Sequence, residues 1–126
     1  MNASAVVELL LATPAAEPVR RHLSRRGEQS LPHLLDLEVT QVLRRYSLSH
    51  ALSPECAQHA LDDFADLTLA RYPHALFLPR VWELRQNFSA YNAAYLVLAE
   101  ALHAPLITRD RALASSSGHK AKVVLV

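Results

Sequence analysis

The sequence predicts an α/β domain, with a parallel sheet carrying helices on both faces. Three observations lead there. Short apolar runs at Ala75–Leu78, Leu106–Ile107 and Ala121–Val126 alternate with longer stretches of helical periodicity, the pattern of βαβ units. The 126 residues suit one domain, 1–126, and 51% of them are hydrophobic, enough to bury a core. There is no internal repeat and no low-complexity segment to suggest a solenoid or a disordered tail.

Taken in order, residues 1–12 begin almost inside a helix. Asn2 or Ser4 can cap it, and Val6, Val7, Leu10 and Leu11 give an apolar face. Thr13-Pro14 breaks it. Glu17-Pro18 opens a second helix that runs to about Arg26 and ends at Gly27, with Arg20, Arg21, His22, Arg25 and Arg26 on its surface. Gln29–Pro32 reads as a short strand. Leu34 to about Tyr46 reads as a helix, with Leu34, Leu35, Val42 and Leu43 at the right spacing. Ser53-Pro54-Glu55 supplies an N-cap and a proline in the first turn of a helix running to about Arg71. Ala75–Leu78 reads as a buried strand, and Pro79 opens a short helix through Val81, Trp82, Leu84 and Arg85. Ser89 caps a helix whose stripe is Phe88, Tyr91, Tyr95, Leu98, Ala99 and Leu102. Pro105 leads into the strand Leu106–Ile107. A short helix over 111–116, a loop from Ser115 to Lys120 and a last strand from Ala121 to Val126 complete the chain.

Composition narrows the function. With 13 basic and 12 acidic residues the net charge is +1, so any nucleic-acid contact must rest on a local patch. The single Cys56, expected to be buried or half-buried on its helix, excludes an internal disulfide framework and a cysteine-based zinc site. The seven histidines form no HxH or HxxxH pair. Two glycines, Gly27 and Gly118, cannot write a dinucleotide fingerprint, a Walker-type loop or a GxSxG elbow. No apolar run reaches the ~20 residues of a membrane span and no leader pattern opens the sequence, so a cytoplasmic protein with no membrane partner is expected.

What remains is a set of inward polar groups. Glu38 lies on the stripe of Leu34 and Val42, where a carboxylate needs a partner or a metal. Asp110 sits at the carboxyl end of a strand, where open α/β sheets bind their ligands. Asn92 falls on the apolar stripe of its helix, and Asn2 stands at the mouth of the first helix. Oxygen donors of this kind suit Mg²⁺ or Mn²⁺, and a paired-carboxylate pocket with such an ion hydrolyses phosphodiesters. Asp110 also reads as the N-cap of the helix that follows it, and Asp36 as a surface neighbour of Glu38. Tyr91 and Tyr95 read as core or interface aromatics. Arg85, Arg109 and Arg111 are the candidate phosphate contacts.

These residues resemble a known family. Asn2-Ala-Ser-Ala-Val-Val-Glu-Leu-Leu-Leu is similar to the opening DASAVVELLL of the PIN-domain ribonuclease toxins of the VapC type. Leu34-Leu-Asp-Leu-Glu38-Val resembles their second motif, Ser89-Ala-Tyr-Asn92-Ala-Ala-Tyr their TAYDAAY, and Leu106-Ile-Thr-Arg-Asp110 their LLTRD. Order, spacing and the intervening WELR, Trp82 to Arg85, agree over nearly the whole chain.

The resemblance implies a three-layer α/β/α PIN-like domain around a mostly parallel sheet of about four or five strands. It implies Mg²⁺- or Mn²⁺-dependent endonucleolytic cleavage of RNA, a VapB-like antitoxin partner, and homodimers. By motif, the acidic quartet falls on Asn2, Glu38, Asn92 and Asp110, with Ser4 and Thr108 as supporting hydroxyls. The family has Asp where this chain has Asn2 and Asn92, so the quartet's formal charge drops from −4 to −2, each acid counted as −1. An amide offers oxygen without charge. The expected consequence is a weakened or inactive nuclease, or a catalytically silent PIN domain that binds antitoxin or RNA. The family also has a strand before its first acid, where this sequence has only Met1 ahead of Asn2.

Overall fold

The computed structural model describes residues 2–11, 16–24 and 29–126. The break at Thr13-Pro14, the helix end at Gly27, the arginines at 25 and 26, and Met1 lie outside the described residues. Among those described, seven α-helices alternate with four short parallel strands, the α/β class read from the sequence.

α1 (Ala3–Leu10) and α2 (Ala16–Ser24) pack on each other. α2 buries Ala16 and Val19 and exposes Glu17, Arg20 and Arg21. Glu17 lies 4.0 Å from Arg20 and 3.5 Å from Arg21, on an exposed face where such pairs add little. β1 (Gln29–Pro32) follows, then α3 (Leu34–Leu48), which turns Leu35, Val39 and Leu43 into the core. α4 (Pro54–Asp66) starts as expected: the Ser53 hydroxyl accepts the Cys56 N–H at 3.1 Å, and Pro54 needs no donor there.

Two expected elements differ. The fourth helix ends at Asp66, not near Arg71, and Leu69–Tyr72 forms β2, paired parallel with β1 from Gln29↔Leu69 to Pro32↔Tyr72. A short stretch such as Leu69-Ala70-Arg71-Tyr72 suits either period, and pairing with β1 decides it. The strand expected at Ala75–Leu78 is a 3₁₀ turn over Ala75–Phe77 running into α5 (Leu78–Glu83). With β2 already beside β1, that run has no ladder to join, and Pro79 is suited to a helix's first turn. Leu76 and Leu78 are accordingly exposed rather than buried. Cys56 is exposed as well, because α4 turns Ala60 and Phe64 inward instead.

α6 (Ala90–Leu102) is the central helix. Every residue from Ala93 to Ala99 is buried, so it is enclosed on all sides. It contacts α5, β1 and β3 (Leu106–Thr108), and so joins the two strand pairs under one helix. His103 ends it in the left-handed region, at φ 50°. β3 pairs parallel with β4 (Val123–Leu125) across α7 (Arg111–Ala114). The described strands thus pair two and two. The main core gathers Val6, Val19, Leu31, Leu35, Val39, Tyr95, Leu96 and Ile107 from α1, α2, β1, α3, α6 and β3. A smaller cluster of Val81, Leu84, Ala93 and Val97 fastens α5 to α6. No helix among the described residues is long and apolar enough to cross a membrane.

Candidate active site

The site is built where α1 begins and β3 ends. The Asn2 N–H donates to the Ile107 carbonyl at 3.1 Å, which sets the mouth of α1 against the edge of β3. From there a side-chain network closes. Asn2 Nδ2 donates to Thr108 Oγ1 at 2.8 Å, and the Ser4 hydroxyl donates to Asn2 Oδ1 at 2.6 Å. Ser4 Oγ accepts the Arg109 N–H at 3.1 Å, and Thr108 Oγ1 accepts the Asp110 N–H at 3.0 Å. Asn2 is 7% exposed and Thr108 0%, so these polar groups answer one another instead of water.

Asn2 occupies the N-cap position of α1, as read from the sequence, yet its side chain accepts no helix N–H; both ends of the amide serve the network. Asp110 does cap a helix: its Oδ1 accepts the Leu113 N–H at 3.1 Å. Among the described residues its Oδ2 has no hydrogen-bond partner. Cap and candidate ligand therefore coexist on one carboxylate.

Glu38 sits half-buried on α3. It lines an open depression of about 400 Å³ together with Ala3, Leu34, Leu37, Gln41 and Tyr91. Ala3 lies between Asn2 and Ser4 in the chain, so this depression adjoins the β3 network through the first residues of α1. One carboxylate oxygen of Glu38 accepts the Tyr95 hydroxyl. Burial, followed by that bond and the Glu38 charge, pushes the Tyr95 phenol well above its usual range and keeps it a protonated donor. Of the core and interface roles that the sequence allows Tyr95, its ring takes the core one. The contact of its hydroxyl was missed; the available signal was its place one turn after Asn92 on the inward face of α6.

Asn92 is half-buried, and its backbone N–H donates to the Ser89 cap at 3.1 Å. Its side chain joins no hydrogen bond among the described residues. The structure thus links Asn2, Ser4, Thr108 and Asp110 directly. Glu38 is tied to the helix that carries Asn92. Of the three arginines, Arg109 is occupied within the fold: Nη1 donates to the Val126 carbonyl at 2.6 Å, and Nε lies 3.9 Å from Glu8. Arg85 lies over the Trp82 ring, 4.6 Å from its centroid, and donates to the Trp82 carbonyl. Arg111 is exposed at the start of α7. Asp36 takes the surface role expected of it and pairs with Arg71 Nε at 2.8 Å.

The donor atoms are all oxygens, the type a hard dication prefers, and two of them belong to carboxylates. Among the described residues no group of three or more His, Cys, Asp or Glu is placed to hold a metal ion.

Ribonuclease VapC1 of Mycobacterium tuberculosis is 41% identical to this chain over 127 aligned positions, covering all of the chain and 96% of the relative. The chain belongs to the VapC ribonuclease family. Ribonuclease VapC12 of the same organism is 39% identical over 127 positions, again across the whole chain and 97% of the relative. The VapC ribonuclease Mb0985 of Mycobacterium bovis is 34% identical over 126 positions. No family model matches the chain. With VapC proteins alike over the full length, the α/β architecture is PIN-like. The network at the end of β3 is drawn from two of the motifs that carried the resemblance, the one opening at Asn2 and the one closing at Asp110.

Proposed function

We propose that this chain is a VapC-type endoribonuclease that hydrolyses RNA phosphodiesters with Mg²⁺ or Mn²⁺, and that Asn2 and Asn92 lower its activity. The observation that carries this reading is the hydrogen-bonded network at the carboxyl end of β3, next to the depression that holds Glu38, in a chain similar along its whole length to named ribonucleases. Glu38 and Asp110 would hold the ion, each through the carboxylate oxygen not engaged in the fold. The ion, when bound, supplies Lewis-acid chemistry for phosphodiester hydrolysis.

The chain's own contribution is positioning. Thr108 and Ser4 fix the end of β3 relative to α1, and Tyr95 holds Glu38. Asn2 and Asn92 offer carbonyl oxygens in place of charge, and the Asn2 oxygen already accepts from Ser4. A neutral amide takes up no proton from water at neutral pH, so general-base work falls to the two carboxylates. Arg111 and Arg85 are the candidate phosphate contacts on RNA.

A VapB-like antitoxin, a homodimer and a cytoplasmic setting belong to the same reading. Exposed Leu37 beside the Glu38 depression, and exposed Leu76, Leu78 and Trp82 around α5, are apolar surface that such partners would cover. A second reading, a catalytically silent domain that binds antitoxin or RNA, is favoured by the two amides. Labelled RNA incubated with Mn²⁺ and either this chain or its Asn2→Asp, Asn92→Asp variant separates the two. Cleavage that rises in the variant supports the nuclease. Intact RNA with both folded proteins, alongside retained RNA or antitoxin binding, supports the silent module.

A further inference from the structure

The geometry points to Tyr95 as the positioning residue for Glu38, a role that rests on the ribonuclease reading above. Tyr95 is 3% exposed and lies in a stretch of α6 that is otherwise apolar from Ala93 to Ala99. Its ring belongs to the core that also holds Leu35 and Val39 of α3, the neighbours of Glu38 on the inward side of that helix. A phenylalanine would fill the same space. The added hydroxyl must find a partner when buried, and its partner is a carboxylate 57 residues away.

That contact does three things. It commits one Glu38 oxygen and leaves the other for a ligand in the depression. It restricts the rotamers of a side chain that is otherwise only half-buried. It also ties the acid on α3 to the helix that carries Asn92 one turn earlier, so the two site positions move together. Partners that orient a metal-binding carboxylate change metal affinity without touching the metal.

The test compares Mn²⁺ binding, read by electron paramagnetic resonance, for the unmodified chain and for Tyr95→Phe, Glu38→Gln and Tyr46→Phe. Tyr46 is 38% exposed, about two turns after Glu38 on α3 and outside the depression, and serves as the control. Tyr95→Phe is expected to weaken Mn²⁺ binding about tenfold or more, while the circular dichroism spectrum is retained and Tyr46→Phe binds normally. Equal Mn²⁺ affinity for Tyr95→Phe and the unmodified chain, with Glu38→Gln impaired, would overturn the inference and leave Tyr95 a packing residue. A second readout needs no metal. The Tyr95 hydroxyl proton should give a slowly exchanging downfield resonance that is absent in Tyr95→Phe and displaced in Glu38→Gln; a resonance indifferent to Glu38→Gln also overturns the inference. If the unmodified chain shows no Mn²⁺ site, the ribonuclease reading fails, and the positioning role fails with it even where the hydroxyl resonance persists.

Discussion

Replacing Thr108 with valine tests the framework of the site. Valine keeps the shape of the side chain and exchanges the hydroxyl for a methyl. Thr108 Oγ1 accepts two hydrogen bonds, from Asn2 Nδ2 at 2.8 Å and from the Asp110 N–H at 3.0 Å. Both donors lose their acceptor in the variant. A buried donor left unpaired costs about 1–3 kcal/mol. The Asn2 amide is 7% exposed and meets most of that cost, whereas the Asp110 N–H is on a half-buried residue and meets the lower end. Against this, one more buried methyl returns about 0.8 kcal/mol. The net loss is about 2–3 kcal/mol, a large part of the 5–15 kcal/mol that holds a typical domain together. Thr108→Ser keeps the acceptor and should lose only about 1 kcal/mol. Urea unfolding followed by circular dichroism, with slopes compared between variants, measures both. A Thr108→Val midpoint within about 0.5 kcal/mol of the unmodified chain, or equal losses for valine and serine, would refute the network as described.

Other outcomes follow from single contacts. Ser53→Ala removes the cap on α4 and should cost about 1 kcal/mol in the same assay, with Ser53→Asp close to neutral. Burial alone would raise the Glu100 carboxyl, but hydrogen bonds from Arg80 at 3.1 Å and from the Lys120 N–H at 2.8 Å hold it below the ordinary value of 4.5. Its stabilising contribution is therefore complete above pH 4.5 and lost as pH falls through the lower folded value. Arg80→Met should flatten that acid limb of the stability profile, and an unchanged limb would contradict the pairing. Cys56 is exposed, so a thiol reagent should label the native chain fully without denaturant; labelling only on unfolding would place it in the core.

Much of the framework around the candidate site was legible in the sequence, because residue types at element boundaries report their local geometry. Asp110 follows a short apolar strand, and Ser53 and Ser89 stand before helices, where the residue type itself reports the local geometry. Glu38 was legible because a carboxylate on an apolar stripe calls for a partner. The partner was not legible: no periodicity links Glu38 to Tyr95, since their contact exists only once α3 and α6 pack. The two misread segments share one cause. Leu69–Tyr72 and Ala75–Leu78 are both four-residue runs near prolines, and which becomes a strand depends on which reaches β1. Asn2 was placed correctly as a cap position, but its amide was drawn away from the helix by Thr108 and Ser4, groups that only the fold brings near.

The central claim is that Glu38 and Asp110 form a nuclease site weakened by amides at positions 2 and 92. It is tested most directly by the Mn²⁺-dependent RNA cleavage rate of the Asn2→Asp, Asn92→Asp variant, with and without Glu38→Gln added. The account predicts cleavage about 10²-fold or more above the unmodified chain, abolished by Glu38→Gln and by chelation of the metal. A folded Asp-restored variant that leaves RNA intact, or cleavage indifferent to Glu38→Gln, would contradict it.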